Sequence, residues 1–152
     1  MTNREVYFKQ KVRYWFDKFG YKDWTIIVNE KMWHSMGVFP KTKELVYNPK
    51  YLCVPNSTLM LAIFHEIGHI YGNNFPNSYD YDKELNKIIS EYLAEKRAFY
   101  WLKKYYPSYY KQELKVLKNR MTEILTYPKS QSHYFLAYSQ IPEFNKLIEI
   151  EG

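Results

Sequence analysis

The sequence predicts an α+β protein in which a small sheet near the N-terminus is followed by a mostly helical C-terminal half. Short β-branched segments are confined to the first fifty residues, and longer segments with helical spacing of apolar residues fill most of the remainder. No repeat, low-complexity tract or Gly/Ser-rich linker divides the 152 residues. We therefore expect residues 1–152 to form one domain.

The N-terminal third is predicted to contain one helix and three strands. The segment 4–20 has apolar residues at near-helical spacing and ends at Gly20, which indicates a helix stop. The segment 24–30, "WTIIVNE", is typical of a strand. Segments 34–39 and 44–48 are two further strands, and the "PKTK" between them indicates a hairpin with an edge strand. The sheet is expected to be antiparallel or mixed.

The remaining elements are predicted to be helices. Asn56 or Ser57 is placed to cap a helix that continues to about Gly72. A stretch rich in Gly, Asn, Pro and Ser, residues 72–80, interrupts the helical pattern. Helices are expected over 81–106 and 108–128, and again over 130–150 with a break at Pro142.

Composition indicates the compartment of the protein and whether it spans a membrane. The longest apolar run, residues 59–64, is far too short to span a bilayer, and the N-terminus has no apolar segment of signal-peptide length. Cys53 is the one cysteine, so no intramolecular disulfide can form. These features favour a cytoplasmic protein without a membrane partner.

The net charge of +6 could indicate a nucleic-acid partner, but the basic residues form no compact block. The densest set is predicted to lie on the solvated faces of two helices. It comprises Lys103, Lys104, Lys111, Lys115, Lys118 and Arg120. A nucleic-acid partner is therefore not expected.

The motif "HEIGH", residues 65–69, predicts a zinc site. On a helix, His65 and His69 lie on one face and can offer both imidazoles to one Zn²⁺ ion. Glu66 is then placed to act as a general base on a water at the ion, as in metalloproteases. Gly68 costs a helix about 1 kcal/mol relative to alanine. Its presence predicts that some group approaches this face closely.

The third ligand is expected on the following helix. Glu91, Ala94, Glu95 and Ala98 form one helical stripe. The two alanines would allow close packing on the motif helix. One carboxylate could reach the metal, and the other could accept a hydrogen bond from a ligand histidine. The spacing alone leaves open which glutamate has which role.

The motif and the downstream "EYLAE" resemble the gluzincin clan of zinc peptidases, and the chain is most similar to ImmA/IrrE-type metallopeptidases. The resemblance covers roughly residues 34–102 and implies a minimal zincin-like fold. It implies that Glu91 is the third ligand and that Glu95 supports a ligand histidine, while the departure at Arg97 leaves Glu95 as the alternative third ligand. Arg97 departs from that family's pattern, which has phenylalanine at this position. SprT-type proteases are disfavoured because Tyr134, not glycine, follows His133.

The resemblance also implies how a substrate would bind. An extended peptide would pair with the outer strand of the hairpin, residues 35–39, and a separate His or Tyr would stabilise the oxyanion. The candidates for that donor are Tyr71, Tyr79, Tyr81 and His133.

The sequence thus predicts an intracellular zinc endopeptidase with one Zn²⁺ per chain. The resemblance implies a regulatory protein as its substrate. The alternative is a zinc-containing module that binds protein or nucleic acid without cutting it. Glu66 favours catalysis because a structural zinc site has no use for it. His34 is expected at a strand end on the surface, and Cys53 is expected to be a small buried filler.

Overall fold

The computed structural model describes residues 1–73 and 83–126 of the chain. In this part the chain folds as an α+β structure with a small mixed sheet and four helices. In chain order the elements are α1 (Asn3–Lys18), β1 (Thr25–Val28), β2 (Met36–Phe39), β3 (Glu44–Tyr47), a 3₁₀ turn (Pro49–Tyr51), α2 (Asn56–Gly72), α3 (Lys83–Tyr105) and α4 (Pro107–Thr126). The predicted tail helix over 130–150 lies outside the described residues.

The sheet is mixed and has strand order β1-β3-β2. β1 pairs with β3 in parallel, and β2 pairs with β3 antiparallel to form the predicted hairpin. β2 is therefore an edge strand of the described sheet, as predicted. β1 lies at the opposite edge, where Ile27 and Val28 are exposed despite their apolar character.

α1 lies within two residues of its predicted bounds, 4–20, at both ends. A capping box fixes its start: the Thr2 hydroxyl accepts from the backbone N–H of Glu5, and the Glu5 carboxylate accepts from the N–H of Thr2. The chain leaves the helix through Gly20, whose φ of +88° is readily adopted only by glycine. The helix packs its buried aromatic face on the core shared with α2 and α3.

The start of α2 corrects one prediction. Neither Asn56 nor Ser57 caps the helix, because its N-cap is Pro55 and no side chain caps the backbone there. The Asn56 side chain instead accepts a hydrogen bond from the guanidinium of Arg4, which ties α2 to α1. Two residues further on, the Thr58 hydroxyl donates to the buried carboxylate of Glu113 on α4, over 2.6 Å. Contacts with α1 and α4 thus fix the start of α2, where no side chain caps the backbone.

Cys53 corrects a second prediction, because it is exposed rather than buried. The densest basic set follows its prediction where its side chains are described: Lys103, Lys104, Lys111 and Lys115 are exposed. In residues 1–73 and 83–126, no helix combines the length and apolarity that crossing a membrane requires.

Candidate metal centre

α2 presents the two motif histidines on one face, since they are four residues apart. The rings of His65 and His69 meet edge to face, with centroids 4.8 Å apart and an interplanar angle of 76°. Their Nε2 atoms are 3.2 Å apart. Both rings thus direct the same nitrogen toward a common point.

α3 brings Glu91 to that point. Oε2 of Glu91 lies 2.8 Å from Nε2 of His65, and Oε1 lies 3.4 Å from Nε2 of His69. The side chains are largely enclosed, with exposed fractions of 13% for His65, 5% for His69 and 18% for Glu91. One carboxylate therefore faces the Nε2 atoms of both rings.

Glu95 occupies a different position, one helical turn after Glu91. Its Oε2 lies 3.4 Å from Nδ1 of His65, on the opposite edge of that ring from Glu91. A proton on Nδ1 directed at Glu95 leaves the Nε2 lone pair of His65 available for a cation. The arrangement favours the ligand role for Glu91 and the supporting role for Glu95.

The close approach that Gly68 predicts is confirmed. A Cβ atom at Gly68 would lie 2.7 Å from the carbonyl oxygen of Ala94 and 2.9 Å from its Cα. Ala94 and Ala98 are both fully buried, so the stripe of small residues is the surface on which α2 and α3 meet. This backbone contact sets the distance between the histidines on α2 and the glutamates on α3.

Arg97 adds a link between the two helices that the sequence did not reveal. Its Nη1 donates to the backbone oxygen of Gly68 over 3.0 Å, and its guanidinium lies 6.0 Å from the ring centroid of Tyr71. The contacted carbonyl belongs to the last turns of α2, where the helix dipole favours a cation. The only signal in the sequence was the presence of arginine where the resembled family has phenylalanine.

Glu66 is a further carboxylate of this region. Burial raises its pKa to about 7, although the neighbouring His65 and His69 act to lower it. The charges of Glu91 and Glu95 raise it further. A pKa near neutrality is suited to a group that both accepts and returns a proton.

The pKa values of His65 and Glu91, which face each other, are shifted in opposite directions. Burial alone would lower the pKa of His65, but the charge of Glu95 and the hydrogen bond to Glu91 outweigh it and raise that pKa well above its ordinary value. Burial would raise the pKa of Glu91, but its hydrogen bonds with His65 and His69 lower it well below the usual range. Each group therefore favours its charged form, and the pocket attracts positive charge.

His65, His69 and Glu91 could hold a metal ion, since each offers one ligand atom and these atoms lie within 4.8 Å of one another. In a tetrahedral zinc site with bonds of about 2.0–2.1 Å, ligand atoms are roughly 3.3 Å apart. The observed separations of 2.8, 3.2 and 3.4 Å are close to that spacing. The donor set, two imidazoles and one carboxylate, is also one that catalytic zinc uses.

The other predicted site residues are not all brought to this centre. Tyr71 comes two residues after His69 and so points to nearly the opposite side of α2, where it packs on Trp101 with centroids 5.4 Å apart. Tyr79, Tyr81 and His133 lie outside the described residues.

No protein-family model matches the chain, and neither a curated protein nor a solved structure matches it.

Proposed function

We propose that this protein is a zinc-dependent endopeptidase. In this proposal His65, His69 and Glu91 bind one Zn²⁺, Glu66 is the general base, and Glu95 orients His65. The observation that carries the proposal is the convergence of both Nε2 atoms and both Glu91 oxygens on one point, beside a carboxylate whose pKa is about 7. Geometry and acid–base chemistry thus support the same reaction.

Each side chain of the centre has a distinct part. Zinc, when bound, supplies a Lewis acid that polarises a carbonyl and lowers the pKa of water. Without a metal ion Glu66 has a pKa of about 7, and a cation beside it would favour the ionised form that accepts protons. It can accept a proton from the attacking water and return it to the departing amine. Glu95 holds the ring of His65 through Nδ1, which fixes the tautomer that leaves Nε2 free to coordinate.

The substrate is proposed to be an extended peptide that pairs with β2. β2 is an edge strand of the described sheet, and α2 packs against it, so a peptide on this edge would run alongside the motif helix. A single exposed cysteine is compatible with a reducing compartment, and we propose the cytoplasm as the place of action.

The test combines metal content with proteolysis. We expect about one zinc per chain in the wild type, loss of zinc in His65→Ala and Glu91→Gln, and retention in Glu66→Gln. The wild type loaded with zinc should then cleave an unfolded protein such as reduced casein, and Glu66→Gln should not. Zinc binding without cleavage by the wild type would refute catalysis and leave a zinc-containing binding module. No zinc uptake would refute the whole proposal.

A further inference from the structure

The outer surface of β2 carries an aromatic recess. Met36 and Val38 face the core together with their cross-strand neighbours, so Gly37 faces the opposite side of the sheet. A Cβ atom at Gly37 would lie 3.5 Å from Cε1 of His34 and 3.9 Å from Cε2 of Phe39. Two rings therefore flank a position that has no side chain of its own.

The residues around this position are largely apolar. Val46, the cross-strand partner of Gly37, lies on the same face of the sheet and is only 9% exposed. Trp33 packs edge-on against His34 with ring centroids 4.5 Å apart, and it is 82% exposed. Phe39, on the other side, is 49% exposed. An indole this exposed on a fixed surface is typical of residues that anchor a partner.

The loop that carries Trp33 is held in place. The buried side chain of Asn48 donates from Nδ2 to the carbonyl oxygens of Met32 and Glu30, at 2.6 and 3.2 Å. The backbone N–H of Asn48 also donates to the carbonyl oxygen of Ser35. The exposed ring is thus presented by an ordered loop, which reduces the entropy lost on binding.

The register of the hairpin decides what lies beside the recess. The hydrogen bond from Asn48 to Ser35 makes these two residues a hydrogen-bonded pair of the hairpin. Because such pairs alternate along an antiparallel ladder, the backbone N–H and C=O groups of Met36 and Val38 point to the open edge. An antiparallel peptide at this edge would form its backbone hydrogen bonds with these two residues. Its residue opposite Gly37 then forms a non-hydrogen-bonded pair, the type in which side chains are closest, with Cα atoms about 4.5 Å apart.

We propose that this recess is a specificity site for a large apolar or aromatic side chain of an extended peptide on β2. The recess comprises Trp33, His34, Gly37, Phe39 and Val46. The peptide residue opposite Gly37 projects onto the same face of the sheet, over the missing side chain and between the aromatic walls. The inference rests on the proposed function in one respect: it takes an extended peptide as the ligand. It does not depend on cleavage of that peptide.

The test is a phenylalanine scan of peptide binding. Fluorescein-labelled ten-residue peptides of serine and threonine, each with one phenylalanine at a successive position, are titrated into zinc-loaded Glu66→Gln protein, so that cleavage does not interfere. One position of phenylalanine should increase affinity about tenfold over the host peptide. Trp33→Ala, or Gly37→Val to fill the recess, should reduce that gain below about threefold without altering zinc content. Tyr100→Ala is the matched control, because this exposed tyrosine lies on α3.

The outcomes separate the recess from the catalytic proposal. A phenylalanine preference that survives in both Trp33→Ala and Gly37→Val would overturn the recess, as would equal affinity at every position or no binding of any peptide. A preference abolished by both variants would support the recess even if the wild type cleaves nothing. Cleavage by the wild type without any dependence on phenylalanine would support the catalytic proposal and overturn the recess.

Discussion

Replacement of Gly68 by alanine tests the geometry of the centre most directly. The added Cβ would lie 2.7 Å from the carbonyl oxygen of Ala94 and 2.9 Å from its Cα. Both contacts are with backbone, so no side-chain rotation relieves them, and α2 and α3 must separate by roughly 0.5–1 Å. Alanine recovers about 1 kcal/mol of helix propensity, whereas overpacking costs about 1–3 kcal/mol. We expect a net loss of stability of up to about 2 kcal/mol.

The larger effect of Gly68→Ala is expected on zinc affinity. Metal–ligand distances tolerate changes of about 0.2 Å, which is less than the shift that the alanine imposes between the histidines and Glu91. Zinc affinity, measured by competition with a chromogenic chelator, should fall at least about tenfold. Urea unfolding of the zinc-free protein gives the stability term separately. Gly37→Ala is the matched control, because its Cβ would meet ordinary contacts of 3.5 and 3.9 Å, and it should bind zinc as the wild type does.

Two results would refute this reasoning. If Gly68→Ala keeps zinc affinity within about threefold of the wild type, then the spacing of α2 and α3 does not set the ligand geometry. An equal loss of affinity in Gly37→Ala would also refute it, because the effect would then not depend on the helix contact.

Three further predictions concern single side chains. Arg97→Met removes a charged hydrogen bond worth about 1.5–3 kcal/mol and should lower the urea midpoint; an unchanged midpoint would refute the link between the helices. Glu95→Gln should lower zinc affinity about 10–100-fold by chelator competition yet keep one zinc per chain; complete loss of zinc would make Glu95 the ligand. Burial and the bond to Glu5 raise the pKa of Tyr47 from 10.0 to about 12. The neutral form therefore stabilises the fold, fully below pH 10 and decreasingly up to pH 12. In that window the unfolding free energy of the wild type should fall more steeply than that of Tyr47→Phe, by up to about 1.4 kcal/mol per pH unit, and parallel curves would contradict this.

The parts that the sequence predicted are those governed by local spacing. The i, i+4 spacing places His65 and His69 on one face in any helix, and the glycine within the motif predicted a close approach to that face. The stripe that begins at Glu91 indicated which face of the next helix would meet the motif. Spacing could not separate the roles of Glu91 and Glu95, because that depends on which edge of the His65 ring each carboxylate reaches.

The parts that it did not predict depend on contacts between distant residues. The sequence predicts Asn56 as a possible helix cap, but its side-chain oxygen accepts a hydrogen bond from Arg4, 52 residues away. Arg97 reaches a carbonyl 29 residues earlier, which no local pattern encodes. General burial preferences predict a buried Cys53, but it lies in an exposed connection before α2.

The charges of the centre explain why it suits a divalent cation. Three carboxylates, Glu66, Glu91 and Glu95, surround two imidazoles in a largely enclosed pocket, and uncompensated charge in such a pocket is costly. A proton on His65 offsets part of this charge, and its raised pKa reflects that demand. A divalent ion would offset more, and coordination by two Nε2 atoms and one carboxylate would keep His65 neutral while Glu95 accepts its Nδ1 proton. On the proposed function, the charges that attract a proton to His65 would therefore also favour zinc, and protons and zinc would compete for one position.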